Sequence, residues 1–177
     1  MAKRNNTVAS NLSAEPEIGR WLWALEDTRS RTKEELADVS AAMIDWQPPH
    51  GDSSIGTVLY HLALIETDWL YAEVLEQPYP AAVVALFPHE DRNAQGCLTK
   101  VQGLSLADHG ARLDTVRKLL LDVFQAMTLA DFRRVRSLPF YDVTPEWVLH
   151  HLMQHEAEHR NQVAALRIAA QRAEAQG

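Results

Sequence analysis

The sequence predicts an all-α protein, a four-helix bundle with a long crossover between its second and third helices. Four stretches place apolar residues at helical spacing, and nothing in the chain alternates strongly as a half-buried strand does. Residues 78–104 form a connection far longer than the roughly 2 to 8 residues that join neighbouring helices in bundles. A segment of that size can cross the whole length of a bundle, which makes the second and third helices parallel. With 177 residues, 46% hydrophobic and 23% charged, the chain can bury one substantial core but hardly two. One domain is therefore expected over 15–177, after a polar, aperiodic and disordered tail at 1–14.

Helix 1 is expected from about Glu17 to Asp45, with Ile18, Leu22, Leu25, Leu36, Val39 and Met43 near helical spacing and a break near its end. The breaker segment WQPPHGDSS follows, its Pro48, Pro49 and Gly51 preceding Ser53 or Ser54 as N-cap. Helix 2 runs from Ile55 to about Glu76 with the stripe Ile55, Val58, Leu62, Ile65 and Trp69. In the crossover only AAVVALF is apolar enough to make a helical turn. Helix 3 starts at Ser105, with Asp108 completing an S-x-x-D capping box, and carries Leu113, Val116, Leu120, Val123 and Phe124. Helix 4 opens with Thr144 as N-cap, Pro145 at the first helical position and Glu146 in the first turn, and continues to about Arg172.

Composition narrows the function. Cys97 is the only cysteine, so an intramolecular disulfide and a cysteine-based zinc site are both excluded. A net charge of -7 disfavours capture of nucleic acid, and the run Arg133, Arg134, Arg136 reads as a solvated segment without an aromatic platform. No window approaches 18 uninterrupted apolar residues and the first residues are polar, so no membrane segment is expected and a cytoplasmic location is.

Four of the eight histidines fall within "HHLMQHEAEHRNQV", residues 150–163. His151, His155 and His159 follow at four-residue intervals, each about 40° round and about 6 Å along helix 4 from the last. With His155 at zero, Val148 and Leu166 lie near 20° and Leu152 near 60°, so the ladder borders the core stripe. An imidazole there needs a partner, and an i, i+4 pair supplies two nitrogen ligands to a divalent ion without distorting the backbone. His61, at the edge of the apolar stripe of helix 2, can point between helices and supply a third. His61, His155 and His159 are therefore the candidate metal ligands. Zinc or nickel suits such a site best, with iron or manganese next. Glu158 and Gln162, on the flank of His155, are candidates to hydrogen-bond a ligand histidine or an incoming nucleophile. Trp69, Trp147 and Tyr60 are pocket candidates that serve equally well as core.

The same letters contain H-E-x-x-H, from His155 to His159, the pattern of zinc proteases whose glutamate is a general base. The longer protease signature fails, because Gln162 and Ala165 stand where glycine and a third histidine are required. The ladder also suits a non-catalytic metal-binding or stress-response protein, or a bundle that holds no metal.

The segments WQPPHGDSSIGTVLYHLALIETDWL and TPEWVLHHLMQHEAEHRNQV together resemble the DinB-like, or damage-inducible, superfamily, over about residues 17–172. The matching features are Trp46 and Pro48, Ser54 and Ile55, His61, Thr144 and Glu146, then His151, His155, His159, Arg160 and Gln162. Asn161 departs from the glycine common between the last two. The resemblance implies helices in up-down-down-up order, often a homodimer, and a divalent metal on the residues matching its ligands: His61, His155 and His159. His151 matches a histidine that lies beside that metal. It also implies a small-molecule substrate, with thiol-dependent S-transfer or hydrolysis and a low-molecular-weight thiol as co-substrate.

Overall fold

A computed structural model describes residues 6–49 and 53–176. Gly51 of the breaker segment lies outside them. The all-α expectation holds: seven α-helices occur among the described residues, four of them long. Helix α1 spans Pro16–Leu36, with Pro16 in its first turn where a missing N–H costs nothing. The break expected near its end follows Leu36: Ser40 is extended (φ -75°, ψ 161°) and precedes a separate single turn, α2, Ala41–Ile44.

Helix α3, Ile55–Asp68, starts at Ser54, whose hydroxyl accepts from the Thr57 N–H. It does not stay α-helical to Glu76. From Trp69 to Val74 the chain winds as a π-helix, and Glu76 at φ 54° ends it. The crossover contains α4, Ala81–Val84, where AAVVALF predicts a turn. Helix α5, Leu106–Gln125, has the predicted capping box: Ser105 Oγ accepts from Asp108 N–H, and Asp108 Oδ2 from Ser105 N–H. A turn, α6 (Leu129–Phe132), and a hairpin of two-residue strands, β1 (Arg136–Ser137) with β2 (Asp142–Val143), lead to α7, Pro145–Glu174. Thr144 caps α7 through the Trp147 N–H.

Each long helix packs on two others, α1 on α7 and α5, α3 on α5 and α7. Gly56 lies by His109 and Glu66 by Arg117, so those pairs advance together along α3 and α5. Between α3 and α7 the pairs run in opposite senses, His61 with His159 and Trp69 with Trp147.

The core has two apolar clusters, one around Leu22, Leu70, Leu120 and Leu149, the other around Ile55, Leu59, Val116 and Val163. Between them lies a charged layer to which every long helix contributes one residue. Arg29 binds Glu156 through Nε and Glu66 through its second guanidinium nitrogen, both at 2.7 Å. Arg117 binds Glu66 at 2.7 Å and Glu156 at 2.9 Å, and the arginines also donate to the carbonyls of Leu113 and Leu25. Burial alone would raise the Glu66 carboxyl, but Arg117 and Arg29 outweigh it and hold Glu66 below the usual carboxylate range.

Three expectations need correction. Arg136 is buried rather than solvated: its guanidinium donates to the carbonyls of Val74, Asp131 and Arg134 and to the Asp131 carboxylate. Arg133 and Arg134 are exposed, as expected, and pair at the surface with Glu17, Asp131 and Glu76. Ile65, Trp69 and Val123, read as core stripe, are only half-buried. In the segment read as a polar tail, Leu12 packs on the core, and a Cβ at Gly19 would collide with the Ser10 carbonyl oxygen.

Candidate metal centre

Helix α3 brings His61, and α7 brings His155 and His159, to the level of the charged layer. One nitrogen from each of the three rings lies within 4.8 Å of the others. His61 Nε2 and His155 Nε2 are 3.1 Å apart. Two nitrogens bound to one ion at about 2.0 to 2.1 Å, at angles of about 90 to 110°, stand about 2.9 to 3.4 Å apart, so this pair has the spacing that a shared ion requires.

The protonation pattern is set by what the outer nitrogens touch. His61 Nδ1 lies 2.5 Å from Asp91 Oδ1, and His159 Nδ1 lies 2.9 Å from the Gln162 side-chain oxygen. Both partners accept, so each Nδ1 carries a proton and each Nε2 is the nitrogen left to face the other rings. Burial lowers the His61 pKa, with Asp91 opposing. Burial lowers the His155 pKa more strongly, to about 3, helped by His159, His61 and His151. Burial thus favours the neutral imidazole at His61 and His155, the form that binds metal.

No spacing in the sequence singles out Asp91. It comes from the crossover, whose position α3 fixes. Tyr60 donates its hydroxyl to the His89 carbonyl at 2.8 Å and accepts from the His89 N–H at 2.9 Å, while Thr57 Oγ1 accepts from the Val101 N–H. Thr57, Tyr60 and His61 on successive turns fasten the crossover and place a carboxylate behind a ligand histidine. Spacing within helices cannot reveal a partner about thirty residues away in a loop. An aspartate in a long connection opposite an interfacial histidine was the available signal.

The remaining candidates divide. Gln162 is in place as a hydrogen-bond partner of His159. Glu158 is exposed, and among the described residues no hydrogen bond or ion pair joins it to the three ligand rings. It acts on His151, whose pKa burial lowers and Glu158 raises in part. Glu156 is 3% exposed and clasped by Arg29 and Arg117. It lies about 100° round the helix from His155, turned into the core, so it is not placed as the base of a zinc protease. His151 is stacked on Trp147 (5.2 Å, 5° between planes), 4.4 Å from the Trp69 ring and 5.8 Å from His155. It lies beside the centre. His150 instead meets Trp21 on α1, away from the three rings.

The sequence profile of the DinB superfamily matches residues 24–163, which include all three histidines and the crossover. The chain belongs to the DinB superfamily. No curated protein matches it. As a DinB superfamily member it combines an all-α framework with three convergent histidines, and no helix among the described residues is long and apolar enough to cross a membrane.

Proposed function

We propose that the chain is a metal-dependent enzyme, a thiol-dependent S-transferase or hydrolase that uses a divalent ion on His61, His155 and His159. The observation that carries this reading is a group of three convergent imidazoles to which the described residues add no fourth histidine, cysteine or carboxylate. Three neutral ligands leave an ion its full charge and an open position, as catalytic rather than closed structural sites do. When bound, the ion would act as a Lewis acid that lowers the pKa of a thiol or water at that position. The chain's own residues keep the ligands ready: Asp91 and Gln162 hold the outer nitrogens of His61 and His159, and burial keeps His155 unprotonated. Zinc or nickel fits this donor set best, and iron or manganese follows.

In this reading the long helices run up, down, down, up and the protein works as a homodimer. The parallel advance of the α3–α5 pairs and the opposed sense of the α3–α7 pairs support the helix order.

The test is metal analysis of protein purified without added metal, beside His61→Ala, His155→Ala and His159→Ala. Wild type is expected to retain a divalent ion that the variants lose, and equal, negligible metal in all four overturns the proposal. Turnover of an electrophile with a panel of low-molecular-weight thiols then separates an enzyme from a metal-binding protein without activity.

A further inference from the structure

A pocket of about 500 Å³ opens beside the metal centre, within the size range of small-molecule sites. Trp69, Tyr141 and Trp147 wall it, and Val135 and Val143 of the hairpin segment complete its apolar lining. The rings form a continuous surface: Trp69 is 5.3 Å from Trp147 and 6.2 Å from Tyr141. Trp147 is still 47% exposed, an unusual state for an indole already packed on two rings.

Two features tie this pocket to the three histidines. Trp69 and Trp147 both contact His151, and His151 contacts His155, so a single imidazole separates the pocket wall from a ligand ring. Trp69 is also the first residue of the π-helical stretch, a backbone irregularity found frequently at functional sites. The stretch ends at Val74 and includes Glu73, which is buried and accepts the Tyr141 hydroxyl at 2.7 Å, so Tyr141 is held as a wall with its ring toward the pocket's other aromatics.

Charge selects among planar ligands. The polar lining consists of Asp142 and Thr144, and no lysine or arginine is among the lining residues. The Tyr141 hydroxyl, already committed to Glu73, is pushed up to about 12 by that carboxylate, then by burial and Asp68. A carboxylate or phosphate ligand finds no counter-charge here, whereas a cation meets ring faces and Asp142.

We propose that this pocket binds the aromatic portion of the substrate, neutral or positively charged, and so presents an aromatic electrophile to the metal centre. The proposal rests on the metal-centre reading for its orientation but not for its binding chemistry. The full-length protein, with metal content measured on each sample, is titrated with benzylamine, benzyl alcohol and benzoate while the indole N–H resonances of its five tryptophans are followed. Benzylamine and benzyl alcohol are expected to shift the Trp69 and Trp147 signals, and benzoate to bind at least about tenfold more weakly. Trp147→Ala should weaken benzylamine binding about tenfold or more with metal content unchanged. Asp142→Asn should reduce the preference for benzylamine over benzyl alcohol, leaving the share that the ring faces supply.

Absence of indole shifts with any compound, or benzoate binding as well as benzylamine, overturns the proposal. Shifts that follow protein dilution and ignore all three compounds also overturn it, because they seat a second copy against the pocket and the adjoining Phe140, which is 94% exposed. Wild type that binds benzylamine yet holds no metal keeps the pocket and retires the metal centre. Metal retention without indole shifts does the reverse.

Discussion

His61 Nδ1 sits 2.5 Å from Asp91 Oδ1, so a loop carboxylate fixes which nitrogen of a helix histidine faces the other two. Removing such an outer partner typically weakens metal binding about 10- to 100-fold, because the ring loses both its tautomer preference and its orientation. Asp91→Ala should therefore lower the affinity for a divalent ion by that range, measured by competition with a chromophoric chelator. Asp91→Asn should fall between Ala and wild type, since its amide oxygen can still accept from Nδ1–H. Equal affinity in all three proteins would show that His61 is oriented by packing alone.

Glu156 supplies a different prediction from the same layer of the bundle. Its carboxylate binds both Arg29 and Arg117 between the two apolar clusters, and removing one partner from a buried ion network costs about 3 to 5 kcal/mol. Glu156→Gln should thus lower the urea midpoint and leave metal affinity at the wild-type value in the folded protein. A variant with normal stability and lost turnover would reassign Glu156 to the chemistry.

These two carboxylates show where the sequence was legible. Helix starts at Ser54, Ser105 and Thr144 follow from capping chemistry that acts within four residues, and all three are where that chemistry puts them. The His155–His159 pair is equally local, and His61 joins it because an interfacial position on α3 has few directions to face. Asp91 and the partners of Glu156 depend on how distant segments meet, which no helical wheel contains. The π-helix after Asp68 and the two-residue strands are held by tertiary contacts, among them Arg136 on the Val74 carbonyl, and carry almost no local pattern. The H-E-x-x-H letters misdirect for the same reason: spacing puts Glu156 near two histidines, and only packing reveals that it faces two arginines.

His109, near the start of α5 and beside Gly56 of α3, gives a stability prediction with a defined sign. It is 1% exposed, and burial, with Arg112 adding to it, depresses its pKa to about 4 against Asp45 and Asp108. The unfolded chain, with an ordinary histidine pKa of about 6.5, binds more protons between those values. The stabilising difference is therefore fully present above about pH 6.5 and is lost as pH falls toward 4, by at most about 1.4 kcal/mol per pH unit. The stability gap between wild type and His109→Gln should narrow or invert across that window by urea unfolding, and remain flat above it. A gap independent of pH from about 4 to 7 would mean that His109 titrates normally when folded.

Metal removal should soften the protein without unfolding it. The three imidazoles are gathered by α3, α7 and the crossover, but the two apolar clusters and the four-residue charged layer need no ion to form. An ion that binds only the folded state adds about 2.7 kcal/mol at a hundred times its Kd. For a chain of this size that corresponds to a rise in Tm of about 5 to 10 °C. Titration with zinc should raise Tm by that amount, and a chelator should return it to the starting value with helicity by circular dichroism unchanged at room temperature. His155→Ala should show neither the rise nor the return. Collapse of helicity on chelation would instead make the ion a structural staple, and a closed site of that kind has no position left for a substrate.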